Sequence, residues 1–478
     1  MEQTRVRIGG QLVGCELSVE VRNPYDATLL AAVPQCGPDE VDRACSVAAA
    51  VLARQRRGAE HFPQHRRAAV LDRTAALLAE RVEEFAQRIT AEAGKPIRSS
   101  RHEVARCVDT LAFAAAQARL LCGEMVAMEA SEPGAGRVGF ALRLPIGVVA
   151  AITPFNFPLN LVAHKVAPAI AAGCAVVLKP APQTPLTAIA FVELLVEAGL
   201  PADWISVLTD SGREAAEPLV VHPVPSMITF TGSVAVGWSI AAAAPRKRVA
   251  LELGSNAPVI VEPDADLAAV ASKVRTAGFA FAGQSCIAVQ RVIVQRGVHA
   301  QLVDLLAREV ADIVVGDPRD EATEVGPLIS ARETERVLTW VERAAAGGAQ
   351  VVAGGKLDDG ILLPTVIDTP PLDAEVCRSE VFGPVVVVLP YDQFEDALRI
   401  ANSTDYALQA GVFTNDLGKA MRAVRELDFG GVLVNEVPTV RVDQQPYGGV
   451  RDAGNTREGP AHAVLEMTEL RFVSLPMG

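Results

Sequence analysis

Met227-Ile-Thr-Phe230-Thr-Gly-Ser233-Val-Ala-Val-Gly237 is the stretch on which the fold turns. An apolar run of strand length ends at Phe230, small residues follow, and a helix-compatible run begins after Ser233. Unpaired backbone N–H groups at such a helix start can hold a phosphate, although alone the stretch reads equally as a tight turn. The same unit recurs on both sides. Residues 147–152, 175–178, 205–208 and 257–261 are short, fully apolar runs separated by helical stretches. That alternation predicts parallel strands covered on both faces, the layout of a doubly wound nucleotide-binding sheet. No G-x-G-x-x-G follows the first run.

Upstream, Asn23-Pro24-Tyr25-Asp26 marks a turn, and Pro38-Asp39-Glu40 opens an alanine-rich helix. Leu71, Ala75, Leu78, Val82, Phe85 and Ile89 line one helical face that stops at Gly94 and Pro96, which predicts a core-facing helix. Residues 100–122 read as another long helix. Downstream, a second alternating α/β region covers about 252–435, with strands at 291–294 and 385–389 and a helix at 299–314. The tail ends in glycines, a helix and a strand-like run at 470–474.

Composition narrows the function. The chain has 478 residues, enough for two or three domains with sizeable cores. Fifty-seven acidic residues against 44 basic ones give a net charge of −13, which argues against nucleic acid and anionic membranes as partners. Met1 to Val6 carry no apolar signal-peptide core, and no apolar run reaches membrane-spanning length. The eight cysteines lack a C-x-x-C pair and read as free thiols in a reducing cytosol. The seven histidines form no H-x-x-x-H pattern, so no metal is expected.

Two stretches carry chemistry. Phe281-Ala-Gly-Gln-Ser-Cys286-Ile287 is a small-residue loop bearing one thiol, with Gly283 predicted to let substrate or cofactor approach the backbone. A lone cysteine is more often an inert buried residue. Val249-Ala-Leu-Glu252-Leu-Gly-Ser-Asn256 changes that balance, because it sets a carboxylate in an apolar run, where it costs free energy unless paired or used. A thiol with a separate tunable base is the minimum equipment for covalent acyl chemistry.

LELGSNAP at 251–258 followed by GQSC at 283–286 resembles the aldehyde dehydrogenase superfamily. ITPFNFP at 152–158, LKPAPQTP at 178–185, FTGS at 230–233, EVFGP at 380–384 and PYGG at 446–449 match further family blocks in family order. The resemblance covers nearly the whole chain. It implies an α/β aldehyde dehydrogenase-like fold with a Rossmann-type cofactor domain (1–125 and 146–251, with 437–463 returning to it). A catalytic domain of 252–436 would carry Cys286. An oligomerisation arm of 126–145 and 464–478, with a hairpin near 138–144, would join subunits into homodimers or homotetramers.

The resemblance also implies roles. Cys286 would be the nucleophile, Glu252 the general base, and Asn156 with the Cys286 N–H the oxyanion donors. Lys179 would bind the cofactor ribose. Glu380 and Phe382 would hold the nicotinamide ribose and ring, and Phe155 and Ser233 would lie beside the pyrophosphate. Ile152, Thr153, Pro154, Gly212, Gly232, Gly237 and Leu253 are further expected cofactor contacts. Pro182 stands where NAD-preferring relatives often carry a Glu that takes both ribose hydroxyls. NADP therefore becomes possible, with NAD slightly favoured. Ser285 stands where relatives acting on phosphorylated aldehydes tend to place Arg, and Phe157 where they can carry His. The tail at 446–460 resembles relatives handling short, polar or anionic aldehydes, with Arg106 and Arg441 as candidate anion ligands or else ordinary salt bridges. The reading is oxidation of an aldehyde to the free acid with NAD or NADP in the cytoplasm. A coenzyme-A-acylating relative and a silent structural protein are the alternatives, and Glu252 speaks for hydrolysis.

Overall fold

The computed structural model describes residues 4–58, 60 and 62–477. A five-stranded, wholly parallel sheet runs in the order Arg248–Leu253, Pro225–Gly232, Val148–Ile152, Val176–Lys179, Ile205–Val207. The chain starts at the central strand, Val148–Ile152, and builds outward on one side. It then returns to build on the other. The carboxyl ends of Val148–Ile152 and Pro225–Gly232, paired through Ile152 and Phe230, therefore flank the point where strand order reverses. Open α/β sheets bind ligands at such a crevice.

A second sheet of seven strands runs Gln350–Ala353, Thr365–Asp368, Val385–Tyr391, Val289–Gln295, Ala257–Val261, Gln409–Phe413, Gly431–Val434. It is parallel except for its first strand. Each sheet has its own apolar core. Only Gly254, Ser255 and Asn256 separate the edge strand Arg248–Leu253 of the first sheet from Ala257–Val261 inside the second.

The run at 257–261 shares the apolar signature of the first sheet's strands, being buried on both faces, but lies in the second sheet, inside the expected 252–436 unit. Two expectations need correction. The stripe from Leu71 to Ile89 lies on two helices, Gln64–Glu80 and Val82–Ala93, broken at Arg81 (φ −117°, ψ 27°). Gly94 does cap the second of these in the left-handed region (φ 65°). Residues 138–144 form no hairpin. Arg137–Pro145 is one continuous strand between Glu124–Val126 and Thr468–Pro476. Val138, Phe140, Leu142 and Leu144 alternate with small or charged residues, and no turn residue interrupts that period of two. No helix among the described residues is long and apolar enough to cross a membrane.

Candidate active site

Hydrogen bonds link several of the expected site residues to loops from other parts of the chain. Asn156 donates from Nδ2 to the Gln284 carbonyl (2.9 Å), two residues before Cys286, which ties the two loops together. Both loops are braced from behind. The buried Lys95 ammonium lies 3.8 Å from the Phe157 ring centroid and 4.7 Å from that of Phe281, and it is ion-paired with buried Glu103. The other Glu103 oxygen accepts from the N–H groups of Leu159 (2.9 Å) and Asn160 (3.1 Å), at the start of the helix Asn160–Ala172.

The thiol loop is strained. Phe281 and Ala282 both have positive φ (50° and 52°), a region side chains enter rarely. Gly283 (φ 68°) follows, and a Cβ there would lie 2.2 Å from the Gly383 carbonyl oxygen. The bulk that Gly283 avoids is therefore the chain's own Glu380–Pro384 segment and not a ligand, which corrects the expectation.

Cys286 is partly buried, and its sulfur lies 3.0 Å from the Tyr447 hydroxyl. Burial pushes the thiol up to about 12 against the pull of that hydrogen bond, with Glu380 adding to the rise. Glu252 is 4 % exposed, and neither of its oxygens has a hydrogen-bond partner. Burial and the charge of Glu458 raise it well above the usual carboxylate range, against Lys165 and Arg441.

The cofactor crevice is built from strand ends. Ile152 and Thr153 close the central strand, Pro154 and Phe155 follow, and Phe155 meets Phe382 edge-on at 5.8 Å. Lys179 ends the next strand and is buried, with its ammonium 2.7 Å from Asp210 and 3.3 Å from the Gly212 carbonyl. Gly232 and Ser233 lead into the helix Val234–Ala243, with Ser233 at its N-cap position but its side chain making no capping hydrogen bond. A Cβ at Gly237 would lie 2.3 Å from Leu253, so glycine lets that helix sit against the edge strand. Glu380 accepts from the Ser255 N–H (3.0 Å), and burial raises its carboxyl to about 7.

These residues fit a dinucleotide. Thr153, Thr231 and Ser255 each carry a buried hydroxyl oxygen with no hydrogen-bond partner around the crevice. A Cβ at Gly254 would lie 2.2 Å from Glu380 Oε2, so nothing larger than glycine leaves that carboxylate in place. Pro182 borders a cavity of ≈ 260 Å³ together with Gln183, Ser211 and Arg22. Among the described residues, no group of three His, Cys, Asp or Glu side chains could hold a metal.

A channel of ≈ 540 Å³ leads to the thiol loop past Phe157 and Ser285. Arg98, His102 and Arg106 line it from one helix, Ile97–Leu120, at intervals of four residues. Arg106 is held in both directions by Asp443 (3.2 and 2.7 Å), whereas Arg98 makes no ion pair among the described residues. Arg441 does not line the channel; of its two expected roles, anion ligand or ordinary salt bridge, the structure gives the second. It is buried, 2.7 Å from Glu458, with its guanidinium 3.7 Å from the Tyr447 ring centroid. The sequence reading missed Tyr447 as a thiol contact, the brace Lys95–Glu103, and Arg98 with His102. The spacing of four between Arg98, His102 and Arg106 was the available signal for the last pair.

A crevice that fits a dinucleotide, with a thiol and a buried carboxylate among the residues around it, matches the equipment of an NAD(P)-dependent dehydrogenase. The chain belongs to the Aldehyde dehydrogenase family, whose profile it matches over residues 14–473. It is 43 % identical to 3-sulfolactaldehyde dehydrogenase of Priestia aryabhattai over 475 residues, 99 % of this chain and 98 % of the relative. The structure matches aldehyde dehydrogenase 21 from Physcomitrella patens in complex with the reaction product succinate (TM-score 0.94, 38 % identity, 100 % of this chain and 98 % of that one). It also matches an NADP-dependent glyceraldehyde-3-phosphate dehydrogenase from Bacillus halodurans complexed with NADP (TM-score 0.96, 33 % identity, both chains covered fully). The protein is an oxidoreductase that converts aldehydes to carboxylic acids with NAD or NADP. The coenzyme-A-acylating alternative finds no support.

Proposed function

We propose that this protein oxidises a short anionic aldehyde to the free acid through a thioester on Cys286. The Cys286 sulfur adds to the carbonyl carbon, and the oxygen gains negative charge. The second N–H of the Asn156 amide, the first being bonded to the Gln284 carbonyl, and the Cys286 N–H would donate to that oxygen and stabilise it. The bound nicotinamide supplies the hydride acceptor. Glu252 then takes a proton from water, which adds to the thioester, and the electron pair of the broken C–S bond returns to sulfur. Lys179 and Glu380 would hold the two riboses of the cofactor, and the backbone N–H groups of the helix start at Ser233 would take its pyrophosphate. The observation that carries the reading is Glu252: a buried carboxylate with both oxygens free of partners costs several kcal/mol, on the order of 3, unless it works. Incubation with NAD, NADP and a panel of aldehydes, following NAD(P)H absorbance and acid release, tests it; thioester or acyl-coenzyme-A product without free acid would refute it.

The anionic substrate class rests on the basic wall of the channel in a chain of net charge −13. The names of the relatives, with sulfonate, succinate and phosphate, point the same way. Arg98→Ala and Arg106→Ala are expected to raise KM about three- to tenfold for a carboxylated, phosphorylated or sulfonated aldehyde, discounted for exposure, and to leave a neutral one of equal length nearly unchanged. Equal effects on both substrates would remove the anion site. His102 adds no charge near neutrality, because burial and Arg106 lower its pKa.

Pro182 accepts no ribose hydrogen bond, so NAD and NADP should differ by no more than about tenfold in kcat/KM. Pro182→Glu should shift the ratio toward NAD, by placing a carboxylate at the mouth of the ≈ 260 Å³ cavity. A wild type that excludes NADP by orders of magnitude would show that another residue sets selectivity. The exposed apolar side chains Leu470, Phe472 and Leu475 on the outer strand Thr468–Pro476 support pairing of subunits through this arm in the cytoplasm, as homodimers or homotetramers. Sedimentation of the wild type against a Phe472→Glu variant tests the pairing.

A further inference from the structure

Tyr447 stands apart from the rest of the site because it touches the reacting sulfur and none of the steps above uses it. We propose that Tyr447 is a catalytic residue: its phenol donates the hydrogen bond that stabilises the Cys286 sulfur whenever that sulfur is negatively charged. The proposal rests on Cys286 being the nucleophile.

The two atoms lie 3.0 Å apart, and Tyr447 is 3 % exposed in a small apolar cluster with Ile287, Leu408 and Ala453. While sulfur keeps its proton, either group can donate. Once it ionises, the thiolate has nothing left to donate, and the phenol must point its O–H at sulfur. No heavy atom moves. A hydrogen bond to a buried anion is stronger than one between neutral groups, and the apolar cluster excludes competing water.

Arg441 strengthens the donor. Its guanidinium lies over the Tyr447 ring at 3.7 Å, which draws electron density from the ring and makes the O–H a better donor. Glu458 holds that guanidinium in place at 2.7 Å and is itself approached by Lys165 at 3.4 Å. The stack also explains why Arg441 is buried away from the channel. The groups opposing a charged sulfur are Glu380 and Glu252, while Arg441 assists it. Glu252 further faces Glu458, Lys165 and Arg457.

The contact serves twice. In the first half-reaction the sulfur attacks as a thiolate. In the second, water adds to the thioester, the C–S bond breaks and its electron pair returns to sulfur, onto which the Tyr447 O–H already points. Tyr447 keeps its proton throughout; the thiol proton goes to the base. A better-stabilised thiolate is also a better leaving group.

Tyr447→Phe isolates the hydroxyl, since the ring and its stack with Arg441 remain. The apo-protein is treated with iodoacetamide over a pH series, and carbamidomethylation of the Cys286 peptide is followed by mass spectrometry. The variant is expected to react about tenfold more slowly at any pH below the thiol's pKa, with its profile displaced to higher pH. Steady-state kcat should fall by a similar factor while the affinity for NADP alone stays that of the wild type. An alkylation profile and a kcat both equal to those of the wild type would overturn the proposal, as would a profile moved to lower pH. Because alkylation is read at Cys286 without turnover, it reports on the hydrogen bond even if Cys286→Ala retained activity and the nucleophile reading failed.

Discussion

Cys286→Ala is expected to abolish aldehyde oxidation and to leave NADP binding as it is in the wild type. The thiol sits between Ser285 and Ile287, which line the channel, and among the described cysteines it alone follows that lining; the proposed adduct forms there, and none of the expected cofactor contacts depends on it. Its removal costs little packing, since alanine fills most of the volume and Tyr447 loses one partner. Residual oxidation above about a few per cent of wild type would assign the chemistry to another cysteine. The other buried thiols offer no substitute. Cys36, Cys45, Cys107, Cys174 and Cys377 are buried within the two apolar cores, whereas Cys286 is partly exposed.

Glu252→Gln should slow steady-state turnover by roughly two to four orders of magnitude while sparing a first burst of about one NAD(P)H per site. Glutamine keeps the size and loses the base. The acyl-enzyme should then accumulate and be visible by mass spectrometry on the Cys286 peptide. Loss of the burst would place Glu252 at thiol activation instead, and unchanged hydrolysis would remove its role. The variant also predicts a pH effect. Burial and Glu458 hold the Glu252 carboxyl protonated well above the usual carboxylate range, so the base appears only as pH rises. Wild-type hydrolysis should therefore climb with pH on a limb that the Gln variant lacks.

What could be read from the chain follows the range of each signal. Cys286, Glu252, Asn156 and Lys179 stand in short blocks whose local pattern carries their identity. Tyr447 also stands in a quoted block, yet its contact with Cys286 spans 161 residues, and no local pattern announces it. The strand Ala257–Val261 was legible as a strand, but its apolar pattern alone did not say in which sheet, because a run buried on both faces looks alike in either; only the expected 252–436 boundary put it in the second. The break at Arg81 was hidden for a related reason: the apolar stripe continues across it, since both helices face one core. The two roles left open for Arg441 could not be separated in sequence, which shows a charge and not its partner; Glu458 and the Tyr447 ring hold it inward.

The Glu252 strand is bridged to Gly454, and Tyr447, Arg441 and Glu458 surround the thiol from the last tenth of the chain. A nascent polypeptide ending at about residue 440 would hold every strand of both sheets and the thiol loop. It would lack the phenol, the stacked guanidinium and the outer strand Thr468–Pro476, which pairs with Arg137–Pro145 more than 300 residues earlier. Synthesis thus delivers the reactive sulfur early and its environment last. An incomplete or clipped product would carry an unhelped thiol and an open sheet edge, so proteolytic loss of the tail would silence the enzyme.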